Sequence, residues 1–201
     1  MFEDTYHTIE SITEGVFRAK GSKFISIAMP VTSENEIKEK LGEIKKIYFD
    51  ARHFCYAYIL GFDKSAYRIN DDGEPSGTAG RPIYGQLLSK DLTNILVVVV
   101  RYFGGTKLGV SGLIHAYKEA TKDALEAAKI IEKTVDESYL VTLEYEQMNK
   151  VMQILKNDYV KITNQSFQDG YTIEFVIRKR EADKIVFELR KIDCVNVSVI
   201  K

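Results

Sequence analysis

The segment Ile95-Leu96-Val97-Val98-Val99-Val100 constrains the fold more than any other stretch. Six apolar residues in a row, mostly β-branched, suit a strand covered on both faces rather than one with a wet side. A chain holding such a strand needs a sheet with other elements packed on it. The next residues, Arg101-Tyr102-Phe103-Gly104-Gly105-Thr106-Lys107-Leu108-Gly109-Val110-Ser111-Gly112, are rich in glycine. After them, Leu113, Ala116, Tyr117, Ala120, Ala124 and Ala127 form a helical stripe of mostly small residues over 110–129. Strand, glycine loop and close-packed helix thus follow one another.

Glycine and proline mark a second special segment, Asn70-Asp71-Asp72-Gly73-Glu74-Pro75-Ser76-Gly77-Thr78-Ala79-Gly80-Arg81-Pro82. Its glycines allow positive φ, and its prolines fix turn entries. A short helix is expected from Pro82. Residues 17–31 read as a hairpin turning near Gly21-Ser22. Residues 33–48 read as an amphipathic helix, with Ser33 as N-cap and Glu36 completing a capping box. Residues 53–61 are strand-like. The last third alternates plainly: strands at 138–145, 159–167, 171–177 and 195–200, helical stripes at 148–155 and 182–189, and a turn at Gln168-Asp169-Gly170. That order, β-α-β-β-α-β, is ferredoxin-like. The expected domains are 1–135 and 136–201.

Composition narrows the function classes. Of the 201 residues 45% are hydrophobic and 28% charged, which fits a folded rather than a disordered chain. The net charge is −1, with 18 basic and 18 acidic residues in 1–135 and 10 and 11 in the rest. A surface that is basic throughout is therefore excluded, though a local basic patch is not. No apolar run is long enough for a membrane span, and residues 1–10 lack the pattern of a secretory signal. Cys55 and Cys194 form no CxxC pair, and His7, His53 and His115 are scattered. The expectation is a cytoplasmic protein with reduced thiols, no metal, no cofactor and no membrane.

Two chemistries compete for the glycine-rich segments. Free amides at the start of the helix after Gly109, with Arg101 and Lys107 nearby, suit an anion. The glycine spacing matches neither a Walker loop nor a dinucleotide fingerprint, and glycines that permit close packing explain it equally well. Asp71, Asp72 and Glu74 offer three carboxylates for a Mg²⁺ ion, against the plainer role of capping local amides. His53 and Cys55 share a strand face, as a thiolate–imidazole pair would require, but no third orienting group stands out, and a buried cysteine is the simpler reading. Tyr6, Tyr102 and Phe103 offer rings for stacking on bases, although strand aromatics more often belong to a core.

Three motifs in order, His53-Phe54-Cys55-Tyr56-Ala57-Tyr58, the run from Asp71 to Pro82 and the run from Val99 to Gly109, resemble the IMPACT family. The two-domain build is similar to its bacterial YigZ-like branch. The resemblance implies an α+β protein of two domains. The first would be a ribosomal-protein-like α/β sandwich with a four-stranded sheet, and the second would resemble the last domain of elongation factor G. It also implies a link to translation, since eukaryotic members dampen a stress-kinase pathway controlling initiation.

The leading expectation is a translation-associated regulator that binds RNA or ribosomes. The contacts would be Lys23, Arg81, Arg101, Gly104, Gly105, Lys107 and Gly109. The alternative is an enzyme or sensor of a small phosphate- or carboxylate-bearing ligand, using the acidic loop with Arg101 and Lys107. No nucleophile–base pair is evident, so no catalytic residue is assigned and the expectation leans away from an enzyme. A regulatory protein partner docking on the second domain is the third option, and the oligomeric state is left open.

Overall fold

The computed structural model describes residues 4–167 and 170–200, so the turn expected at Gln168-Asp169 lies outside the described residues. The elements in chain order are β1 (Thr5–Ile9), β2 (Thr13–Ala19), β3 (Ser22–Pro30), α1 (Glu34–Ile47), β4 (His53–Leu60), β5 (Ala66–Asn70), α2 (Gly80–Ser89), β6 (Ile95–Tyr102), α3 (Gly109–Glu126) and β7 (Ile130–Thr134). There follow β8 (Asp136–Leu143), a 3₁₀ turn (Tyr145–Gln147), α4 (Met148–Leu155), β9 (Val160–Ser166), β10 (Tyr171–Arg178), α5 (Lys179–Arg190) and β11 (Asn196–Ile200). No helix among the described residues is long and apolar enough to cross a membrane.

Two compact units result. One holds residues 6–133, and the other holds residues from Thr134 on together with Asp4 and Thr5. The division thus falls two residues before the expected 135/136. Asp4 goes with the second unit because its carboxylate takes two hydrogen bonds from Arg178, at 2.6 and 2.8 Å. That guanidinium holds the Asp4 carboxyl below the usual carboxylate range.

In the first unit, β6 is the middle strand of an antiparallel sheet ordered β2-β3-β6-β4-β5. Alternation divides its apolar run between two cores. Ile95, Val97 and Val99 join the core under α2 and α3, while Leu96, Val98 and Val100 join the core with Ile37 and Ile44 of α1. All six are fully buried. The sheet has five strands, not four, and carries helices on both faces. The extra strand, β5, runs along the free side of β4. The hairpin turns at Lys20-Gly21 rather than Gly21-Ser22, with both φ values positive (45° and 79°), as two-residue hairpin loops favour. Ser33 caps α1 by accepting from the Glu36 N–H at 3.2 Å. Glu36 reaches back to the Thr32 N–H, one residue beyond the expected partner, at 2.8 Å.

Close approach explains one glycine that no turn requires. A Cβ on Gly15 of β2 would overlap the Ala124 backbone nitrogen and stand 2.8 Å from the Ala124 Cα. Gly15→Ala is therefore expected to push α3 off β2 and to destabilise the unit by about 1–3 kcal/mol. A urea melt checks it, and an unchanged midpoint would contradict such close packing.

The second unit follows the element order read from the sequence. Its sheet runs β11-β8-β10-β9, antiparallel throughout. Tyr139, Val141 and Leu143 of β8 and Ile173, Phe175 and Ile177 of β10 pack with Val151 and Leu155 of α4 and with Ala182, Ile185 and Leu189 of α5. Period-2 strands and helical stripes thus meet in a single core.

Candidate functional site

Three side chains stand in register across one end of the first sheet: Phe24 of β3, Arg101 of β6 and His53 of β4. Partners directly opposite share a face, here the face under α2 and α3. Arg101 is only 6% exposed. A guanidinium so buried needs a counter-charge. Glu74 supplies it, with Oε1 2.6 Å from Arg101 Nη1. Tyr117 of α3 donates to the same oxygen at 2.8 Å, and the Cys55 thiol lies 3.2 Å from the Tyr117 hydroxyl. The guanidinium carbon also sits 5.4 Å from the Phe24 ring centre and 5.6 Å from that of Phe103. Its buried Nε–H has no partner among the described residues.

The acidic loop is committed to the fold. Asp71 accepts from the amides of Gly77 (2.8 Å), Ala79 (3.0 Å) and Gly80 (2.8 Å). It thereby caps α2 from nine residues upstream, and the helix begins at Gly80 rather than at Pro82. Asp72 accepts from the Phe54 amide at 2.7 Å. Glu74 holds Arg101. These bonds replace the metal or proton-transfer role considered for Asp71, Asp72 and Glu74. Among the described residues no three His, Cys, Asp or Glu side chains gather as a metal site would require.

The second glycine loop is open where the first is closed. Gly104 is a packing glycine, since a Cβ there would overlap the backbone of Gly21 and Ser22. Its amide donates to Ser22 Oγ at 3.1 Å. Gly105 and Gly109 have φ of +87° and +75°. Gly109 starts α3, whose first turn receives no side-chain cap and holds no acid. Its leading amides therefore remain available to an anion. Gly109, Lys107, Phe103, Arg101 and Glu74 line a hollow of about 400 Å³. A second hollow of about 280 Å³ shares Arg101 and Phe103 and adds His53, Arg52 and Asp50. Asp50 accepts from the Tyr102 hydroxyl at 2.7 Å, a bond that holds that phenol up to about 12.

The structure thus brings Arg101, Lys107 and Gly109 together, with Gly104 and Gly105 shaping their loop. It does not bring in Lys23 or Arg81. Lys23 is paired with Tyr102 and so points to the α1 face, opposite Arg101. Arg81 is exposed in the first turn of α2 and lines neither hollow. The His53–Cys55 pairing also fails. Cys55 is fully buried, donates to the Asp71 carbonyl at 3.0 Å, and has its thiol pushed up by burial. His53 matters instead through its neighbour Arg101, a pairing between strands that no single segment reveals. Phe103, 56% exposed, belongs to the wall of both hollows and not to the core.

With this geometry in view, the comparisons identify the chain's relatives. The Impact N-terminal domain model matches residues 20–125, which include the whole site. The IMPACT family member YvyE of Bacillus subtilis (strain 168) is 31% identical over 179 residues, covering 89% of this chain and 82% of that protein. The IMPACT family member YigZ of Escherichia coli (strain K12) is 34% identical over 151 residues, covering 74% of each. A solved structure described as a crystal structure of an hypothetical protein aligns with a TM-score of 0.77 at 27% identity, over 100% of this chain and 99% of that one. On these matches the chain belongs to the IMPACT family.

Proposed function

We propose that this protein is a cytoplasmic, translation-associated regulator that grips RNA, in the setting of the ribosome, through phosphate contacts in the 400 Å³ hollow. The observation that carries the reading is the convergence of Arg101, Lys107 and the start of α3 on the wall of this hollow. The exposed Lys107 and the uncapped start of α3 add positive potential to the same space. The link to translation follows the family. Glu74 neutralises much of the Arg101 charge, so Lys107 and the helix amides supply most of the attraction. Affinity is accordingly modest and sensitive to salt.

Co-sedimentation with ribosomes tests this. The wild type is expected in the pellet at about 50 mM salt and in the supernatant by about 200 mM. Lys107→Glu is expected in the supernatant at both. Equal sedimentation of the two proteins would overturn the reading. The hollow's size also favours a second reading, a small phosphate-bearing ligand, because it lies within the usual range for small-molecule sites. A thermal-shift panel of inorganic phosphate and nucleotides tests that alternative. Of the acidic loop only Glu74 lines this hollow, and its Oε1 is held by Arg101 and Tyr117.

A further inference from the structure

The two hollows that share Arg101 and Phe103 offer different polar groups, and the difference bears on the ligand. The larger one presents Lys107, the first amides of α3 and Arg101, together with Glu74, whose Oε1 is already taken by Arg101 and Tyr117. The smaller one adds the acceptors of His53 and Asp50 beside Arg52 and Arg101. His53 Nδ1 lies 2.9 Å from the carbonyl oxygen of Asp72. A carbonyl only accepts, so Nδ1 carries a proton, and in that tautomer Nε2 is the acceptor. No bond is made to Nε2 among the described residues. Asp50 adds a carboxylate to the same wall. The Phe103 ring lines both hollows, more than half exposed and with the Arg101 guanidinium against it.

A phosphate alone uses only the donors. A neutral hydroxyl suits the acceptors, and a planar group suits the ring that lines both hollows. An unpaired nucleotide carries all three, and the 2′-hydroxyl is the group that separates RNA from DNA. We propose that the paired hollows hold one unpaired ribonucleotide of an RNA strand, with its phosphate at Lys107 and the start of α3, its base against Phe103 and its 2′-hydroxyl donating to His53 Nε2. This assignment rests on the phosphate-binding reading above and adds the ligand class: single-stranded RNA rather than duplex or DNA. His53 is a binding residue here, not a catalytic one.

The test is fluorescence-anisotropy binding of the full chain to a uridine-rich single-stranded RNA and to the deoxyuridine strand of identical sequence. The wild type is expected to bind the RNA about tenfold more tightly, the size of one good hydrogen bond. His53→Asn, which keeps a donor for the Asp72 carbonyl, is expected to bring the two strands to near-equal affinity. His53→Phe repeats the test with the acceptor removed and ring volume kept, and circular dichroism checks that both variants fold. Lys107→Gln is expected to weaken both strands by the same factor. Equal binding of RNA and DNA by the wild type, or a preference that survives both His53 variants, overturns this assignment and leaves phosphate binding standing. Failure of the wild type to bind either strand overturns both. Displacement of the strand by uridine 5′-monophosphate as effectively as by unlabelled RNA would make the occupant a free nucleotide, and the RNA assignment would then fall.

Discussion

Arg101→Ala is expected to destabilise the first unit by about 3–5 kcal/mol, because it strands Glu74 as a buried charge without its partner. Glu74 is 9% exposed, and its Oε1 takes both the Arg101 guanidinium and the Tyr117 hydroxyl. With the arginine gone, only the phenol remains to satisfy the carboxylate. Urea denaturation at neutral pH reads the loss. Glu74→Gln/Arg101→Met, which removes both charges and keeps the approximate volumes, is expected to recover most of it, because the cost lies in the unpaired charge rather than in absent attraction. A single-variant loss below about 1 kcal/mol would place the pair in water, as surface pairs are worth no more than that. Arg101 variants confound folding with ligand affinity, whereas Lys107 is exposed and its replacement is expected to leave the fold intact.

The second large effect is expected at Asp71. Its two carboxylate oxygens serve three amides, two of them on Ala79 and Gly80, which are buried where α2 begins. Asp71→Ala leaves those donors without a partner in a site closed to water. Each unsatisfied group costs about 1–3 kcal/mol, so a total of about 2–5 kcal/mol is expected. Hydrogen exchange localises it: protection should fall first at the amides of Gly77, Ala79 and Gly80 and then along α2. Asp71→Asn keeps an acceptor and is expected to lose roughly half as much, since a neutral oxygen accepts more weakly than a carboxylate. An Asp71→Ala protein as stable as wild type would show that the amides find other partners, and that the carboxylate is free for the ligand chemistry excluded above.

What the sequence makes legible, and what it hides, follows from the range of the interactions. Ile95–Val100 announces a doubly covered strand because both faces of one strand are written in one segment. Tyr139, Val141 and Leu143, or Leu113, Ala116 and Tyr117, announce buried faces for the same reason. Ala66-Tyr67-Arg68-Ile69-Asn70 announces nothing: an edge strand has one neighbour, and its side chains are largely exposed. That is why the sheet reads as four strands and has five. The site is harder still. Arg101 is visible as a cation at the end of a buried run, but its burial depends on Glu74, 27 residues away. The Asp71 cap depends on a loop that folds back on itself over nine residues. Lys23 looks equivalent to Arg101 along the chain, yet a shift of one ladder position places it on the opposite face. His53 gains meaning only once the β4–β6 register sets it beside Arg101.

The central claim is that Lys107 and the start of α3 form a phosphate grip, and a salt titration tests it most directly. Binding of a single-stranded RNA is measured across a range of salt, and log Kobs is plotted against log salt for wild type and Lys107→Gln. The account predicts that affinity falls linearly with salt for the wild type, and that the variant line is shallower by about 0.7, the contribution of one phosphate contact on a single strand. Two lines of the same slope, or a wild-type affinity indifferent to salt, would contradict it.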